Sequence, residues 1–503
     1  MSYLCYRGLV RLEQEKNLEM LRQAALLLEA ENQRLAQRVV TLERQLSQLK
    51  GESPEEFQLR IQQIEAQLAQ ARQELFGKSS EKRPRTTEAT QTEKRQQHGH
   101  GRRPQPQLPI EEVVHDLDEP DKQCPKCGGC LQEMKEQFEE SEEIEVIERR
   151  FVRKKHKRKK YRCGCHAHVE TALGPPKLFE GARYSIDFAI EVVVQKYLDH
   201  LPLERQVRIM AREGLTIDSQ TLWDCLERVA RLLAPAGLAL QEYVLSCGVV
   251  GADETPWWMM GGRGRRGSER WYLWALVVPN AVYCAILDSR STDAARKVLG
   301  GYQGILMVDG YAAYASLRAE ADFILVRCWA HVRREFIKAE ASFPQAAEAL
   351  SLIGQLYAVE AECPRGPEGD ALRYQLRQEK SRPIVARIHE WALEQRALKE
   401  SSLGKALTYL GGAWTDLKRF LDDPRIPLDN NSTERAERGP VVGRKNHYGS
   451  RSKRGAEVAG LLYSFIESAK LCGLNPKDYL RKAIHAALNG ERIPLPHELV
   501  PPP

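Results

Sequence analysis

The chain has 503 residues, 42% of them hydrophobic, which is room for three or four units of roughly 100–200 residues each. Lys plus Arg number 75 and Asp plus Glu 69, a net charge of +6, so a nucleic-acid partner must be argued from where the basic residues lie. The opening residues carry no apolar stretch with a small-residue cleavage site, and no run of about 18 apolar residues occurs anywhere, so neither a signal peptide nor a membrane span is expected.

Leu21, Leu28, Leu35, Leu42 and Leu49 recur every seventh residue, with Leu18, Ala25, Asn32, Val39 and Leu46 as companions. This seam predicts a coiled-coil oligomerisation region over residues 1–77, and a single Asn at an a position favours two parallel strands. The alternative is a long helix packed on its own protein. Residues 78–108 are rich in Gln, Thr, Arg, Lys and Pro and read as a flexible basic linker.

Five of the 12 cysteines fall between Cys124 and Cys165. Clustering in a long chain without a signal peptide points to a reducing compartment and a metal site rather than a disulfide scaffold. Cys124 and Cys127 form a C-x-x-C knuckle, and Cys163 and Cys165 follow after a strand-like stretch, so residues 109–172 are expected to hold a structural Zn²⁺. Cys165, His166 and Cys130 compete as the fourth ligand. The run RRFVRKKHKRKK beside them carries nine Lys and Arg in twelve residues, a density that phosphates or the preceding glutamates would offset.

Over residues 185–240, a helix opening at Pro202, a turn at Gly214 and a second helix Gln220–Leu233 capped by Asp218 or Ser219 match a helix-turn-helix. In that reading Ser219, Gln220 and Thr221 face DNA bases. Any helical hairpin would give the same pattern.

Residues 241–450 read as the catalytic core. The apolar run Tyr243–Gly251 predicts a strand ending at Asp253. Strands Arg270–Val278 and Val282–Leu287 follow around a Pro279-Asn280 turn, then helix Thr292–Leu299, strand Gly304–Val308 ending at Asp309, helix Ala312–Arg318, strand Phe323–Cys328 and a helix from Ala330. The order β-β-β-α-β-α-β-α describes a ribonuclease-H-like fold, which makes the chain a multidomain α/β protein. That fold sets acids on its first and fourth strands and takes a third from a later helix, where hard divalent cations can be held for phosphoryl transfer. Alternation along a strand turns Glu254 to the face opposite Asp253. For the third acid Glu434, Glu437 and Asp429 compete. Arg444 and Lys445 follow in a basic stretch suited to overlying DNA. Residues 344–420 read as helical, and 451–503 as a C-terminal helical region.

The stretches LFGKSSEK (75–82), LPIEEVVHDL (108–117), CPKC, KYLDHLPLERQ (196–206), ADETP (252–256), VDGYAAY (308–314), CWAHVRREF (328–336), PLDNNSTERAER (427–438), GRKN (443–446) and LYSFIESAKLCGLNPKDYL (462–480) occur in order. Nearly the whole chain thereby resembles transposases of the insertion-sequence-sixty-six family, TnpC type. The resemblance implies a DDE-type enzyme with Asp253, Asp309 and Glu434 as catalytic acids holding Mg²⁺ or Mn²⁺, and a helical insertion in the core at about 340–420; within CWAHVRREF, His331 and Arg334 are candidates to contact the scissile phosphate. It implies terminal inverted repeats and target DNA as partners, a homodimer or higher oligomer, accessory proteins of the same element, no membrane association, and a bacterial cytoplasmic, nucleoid-associated location. The competing reading is a catalytically inactive, transposase-derived repressor.

Overall fold

The computed structural model describes residues 150–162, 168–261, 268–318, 320–364 and 366–500, with isolated positions upstream. The chain divides into two units, one made of Met1–Gly77 with Phe151–Pro503, the other of Lys78–Arg150. In the second, isolated residues such as Lys126 and the exposed Cys130 are described. The basic linker, the knuckle residues Cys124, Cys127, Cys163 and Cys165, and most of the heptad seam lie outside the described residues; Leu35 and Leu42 are helical and exposed. Among the described residues no helix is long and apolar enough to cross a membrane.

A short antiparallel ribbon, β1 (Lys160–Arg162) with β2 (Val169–Thr171), leads into three helices. These are α1 (Ile186–Tyr197), α2 (Leu203–Arg212) and α3 (Ser219–Ser246). Gly214 takes φ 84° in the turn between α2 and α3, a conformation only glycine adopts without strain. Asp218 caps α3 by accepting from the Thr221 amide at 2.7 Å. Helix α3 runs 28 residues, through Pro235. It takes in Tyr243–Ser246, which the apolar run assigned to a strand. The burial of Leu233, Ala236, Leu240 and Val244 follows a helical stripe, and that longer period overrides the short apolar run. The first core strand is therefore β3 (Val249–Met260), and Asp253 lies inside it, not at its end.

β4 (Ser268–Val278) and β5 (Ala281–Leu287) continue antiparallel around the two-residue Pro279-Asn280 turn. Then come α4 (Thr292–Leu299), β6 (Ile305–Val308), α5 (Ala312–Arg318), β7 (Ile324–Arg327) and α6 (Trp329–Glu340). The sheet order is β5-β4-β3-β6-β7, with β6 and β7 parallel to the central strand β3, a mixed sheet compatible with a ribonuclease-H-like core.

Helices α7 (Ala346–Ala361), α8 (Asp370–Leu376), α9 (Arg382–Glu394) and α10 (Ser402–Leu417) precede α11 (Asn431–His447), α12 (Lys453–Leu471) and α13 (Pro476–Leu488). Strand β6 separates two apolar cores. Leu306 and Val308 join the core shared with α1, α3 and α12, while Ile305 and Met307 join the core of α6, α7, α9 and α10. Arg377, fully buried, ties the insertion to the returning chain. Its guanidinium makes a bidentate pair with Glu360 (2.7 and 2.9 Å) and donates to the carbonyls of Phe420, Asp423 and Ile426. At the other edge, α12 covers β5: the Ser464 and Ser468 hydroxyls accept from the amides of Cys284 and Val282, both at 2.8 Å.

Candidate metal centre and its surroundings

The site is assembled from β3, β6, α6 and the first turn of α11. Carboxylate oxygens of Asp253, Glu254 and Asp309 lie within 4.8 Å of one another. Asp309 follows β6 directly. Its carboxylate accepts from the Tyr311 amide (2.8 Å) and its carbonyl from Arg327 Nη1 (2.6 Å), which fixes the turn. Gly310 lets the ring of Tyr409 on α10 close over this turn, since a Cβ would sit 2.8 Å from it and push it away.

Glu254 has a fully buried side chain that is bonded at both oxygens. Arg290 Nε donates to Oε1 at 2.7 Å, joined by Arg290 Nη2, and Tyr314 Oη donates to Oε2 at 2.7 Å. Tyr311 stacks on the Arg290 guanidinium 3.6 Å from its centre and donates to the Arg290 carbonyl. Glu254 is thus a structural anion beside the two aspartates. Burial, then the nearby Asp309 and Glu254 carboxylates, pushes Asp253 up to about 7. Such a cluster is short of positive charge, and its hard oxygen donors fit Mg²⁺ or Mn²⁺.

Glu434 lies in the first turn of α11, close enough for its charge to raise Asp253 further. Its Oε2 accepts from Arg334 Nη2 at 2.6 Å, and His331 Nε2 is 3.6 Å from Oε1. Both partners come from α6, so the CWAHVRREF motif supplies the surroundings of this acid. Burial, then Arg334, lowers the His331 pKa, favouring the neutral ring. Of its two rivals, Asp429 accepts from the Asn431 amide and side chain. Glu437 is buried with Oε1 unpartnered, and burial, then Asp253, raises its pKa well above the usual range.

Arg444, on the same helix, donates to Thr255 Oγ1 at 3.1 Å, placing it beside the Asp253 face of β3, while Lys445 is exposed. At the start of α3, Ser219 donates to Glu204 (2.6 Å), Gln220 to Asp224 (2.8 Å) and Thr221 to Asp218 (3.2 Å).

Asn430 was not singled out by the sequence reading. Its buried side chain donates to the Ala252 carbonyl (3.0 Å) and accepts from Thr433 (2.6 Å), and its amide donates to Cys328 Sγ (3.2 Å). It stitches β3, the start of α6 and α11 together and thereby sets where Glu434 stands. The signal was the polar Asp-Asn-Asn triplet ahead of a helix, which reads equally well as an ordinary cap. Trp329 holds the same junction from the other side: its amide donates to the Leu428 carbonyl and its indole to that of Leu417.

Comparison with known proteins agrees with this architecture. Residues 181–458 match the family model described as "Transposase IS66 family", and residues 121–166 match that of the "zinc-finger binding domain of transposase IS66". Among curated proteins, "Uncharacterized protein y4jD" of Sinorhizobium fredii is 32% identical over 403 residues, covering 76% of this chain and 78% of that protein. "Uncharacterized protein y4qI" of the same organism is 30% identical over 401 residues, covering 76% and 73%. The family model spans more than half of the chain and includes every element that builds the acid cluster, so the protein belongs to the IS66 transposase family and carries that family's zinc-finger domain.

Proposed function

We propose that the protein binds the terminal inverted repeats of an insertion sequence and catalyses metal-dependent DNA strand cleavage and strand transfer. The observation that carries this reading is the meeting of Asp253 and Asp309 within 4.8 Å, from positions 56 residues apart in sequence, with Glu434 on the adjoining helix turn. Asp253 and Asp309 would hold the cations and Glu434 would complete the set. Bound Mg²⁺ or Mn²⁺ ions supply activation of the attacking hydroxyl and stabilisation of the leaving oxygen. Glu254, locked by Arg290 and Tyr314, keeps β3 and the turn after β6 in register beneath the aspartates. Arg334, His331, Arg444 and Lys445 face DNA phosphates, and Ser219, Gln220 and Thr221 on α3 face the repeat. Releasing their present intramolecular partners is part of binding there.

Cys124, Cys127, Cys163 and Cys165 would hold the structural Zn²⁺, soft thiolates being the donor set it selects. The heptad seam would pair two copies, so that two DNA ends are handled together, with accessory proteins of the same element as further partners in the bacterial cytoplasm.

The test is nicking of labelled terminal-repeat DNA with Mg²⁺. Asp309→Ala is expected to keep DNA binding and to lose nicking by about a thousandfold or more. A wild-type protein as inactive as the variant, with DNA binding intact, would instead identify a repressor.

A further inference from the structure

The third acid is not at rest beside the other two. Its Oε2 is held by Arg334 at 2.6 Å, and the same guanidinium reaches His331 Nε2 at 3.1 Å. A guanidinium only donates, so His331 Nε2 accepts and the ring proton sits on Nδ1. It follows that Nε2, 3.6 Å from Glu434 Oε1, has no proton to offer that oxygen. Glu434 Oε1 and His331 Nδ1 are both buried without a hydrogen-bond partner. Half of the Glu434 carboxylate is therefore unsatisfied, an arrangement that costs free energy unless another group arrives.

The two helices bearing this contact are fixed independently of it. Asn430 pins the start of α11 to β3, and Trp329 pins the start of α6 to the returning chain. An exchange of partners at Glu434 thus needs a side-chain rotation and no movement of either helix.

We infer that Arg334 is a positioning residue that withholds Glu434 from the aspartate pair until a cation arrives, then turns to a DNA phosphate. This rests on the assignment of Glu434 as third ligand. Cation and Arg334 compete for one carboxylate, so each weakens the hold of the other. Arg suits the second role because its planar fork matches a phosphate as well as a carboxylate.

The experiment measures Mn²⁺ binding to the full-length protein without DNA, from the signal of free Mn²⁺ in electron paramagnetic resonance. Arg334→Met is expected to bind Mn²⁺ about fivefold more tightly than wild type. In a Glu434→Gln background the same substitution is expected to change affinity by less than about twofold. No gain, or the same gain in both backgrounds, overturns the inference, the second outcome meaning that Arg334 acts only as a nearby positive charge. If Glu434→Gln leaves Mn²⁺ binding unchanged in the Arg334→Met background, Glu434 is not a ligand, and the assignment falls together with the exchange. Arg334→Lys keeps a charge without the fork. It repeats the comparison should the methionine variant not fold, with a gain of about twofold that Glu434→Gln removes.

Discussion

The acid cluster is flanked on two sides by carboxylate–guanidinium pairs. On the β3 side, Glu254 is fully buried and bonded at both oxygens by Arg290 and Tyr314. On the α11 side, Glu434 keeps 26% of its side-chain exposure, meets Arg334 with one oxygen and leaves the other without a donor. The pairing chemistry is the same, but the surroundings make the first a fixture and the second an exchangeable contact. The two guanidiniums are about equally exposed, 35% at Arg290 and 30% at Arg334, so the difference lies in the carboxylates: a sealed one holds strands in place, whereas an open one can be traded to a metal ion.

The contrast is broken most directly by removing one partner at a time. Arg290→Met leaves Glu254 buried without its cation and is expected to cost about 3 kcal/mol of stability, read from urea unfolding. A loss below about 1 kcal/mol would show that the sealed pair is not structural. Gly251→Ala comes next. A Cβ there would lie 2.2 Å from Thr433 Oγ1 and 2.8 Å from Asn430 Oδ1, so those side chains must break their mutual hydrogen bond or α11 must shift off β3. The expected cost is about 2 kcal/mol together with weaker Mn²⁺ binding. Stability loss with unchanged Mn²⁺ affinity would detach Glu434 from the site.

Acidity sharpens the comparison further. Burial and the neighbouring Asp309 and Glu254 raise Asp253 to about 7, above its value in an unfolded chain. Its ionisation therefore costs the cation-free fold stability as pH rises through 7, and a cation reverses that cost. Mn²⁺ binding is expected to be about tenfold tighter at pH 8 than at pH 6 and to raise the melting temperature more at the higher pH. A flat profile between those values would remove Asp253 from the ligand set. The smallest effect is expected at the open pair: Arg334→Met should cost under about 1 kcal/mol, because Glu434, unlike Glu254, keeps contact with solvent. A loss equal to that of Arg290→Met would erase the distinction.

Much of this was readable from the residues. The strand and helix order from β4 to α6 follows alternation and turn chemistry, and the two aspartates stand where that order puts them. Local patterns misled at Tyr243–Ser246, where a few apolar residues read as a strand although the helical stripe that starts far upstream continues through them. Alternation was expected to turn Glu254 away from Asp253, yet its carboxylate reaches within 4.8 Å of those of Asp253 and Asp309; it is drawn there by Arg290 and Tyr314, contacts 36 and 60 residues away that no local spacing encodes. Asn430 was hidden for the same reason: its partners lie on β3 and at the start of α6. The choice among Asp429, Glu434 and Glu437 could not be made from spacing, since Asp429 just precedes α11 and Glu434 and Glu437 fall in its first two turns. Their different partners become visible only once α6 is packed alongside.

The serines of α12 that occupy the amides of Val282 and Cys284 carry a consequence for assembly. An outermost strand is ordinarily a place where a second molecule could add its own strand and lengthen the sheet. Here those hydrogen-bonding positions are already taken by Ser464 and Ser468. A second copy of the chain therefore cannot lengthen this sheet at β5 by main-chain pairing unless α12 first gives up those two amides.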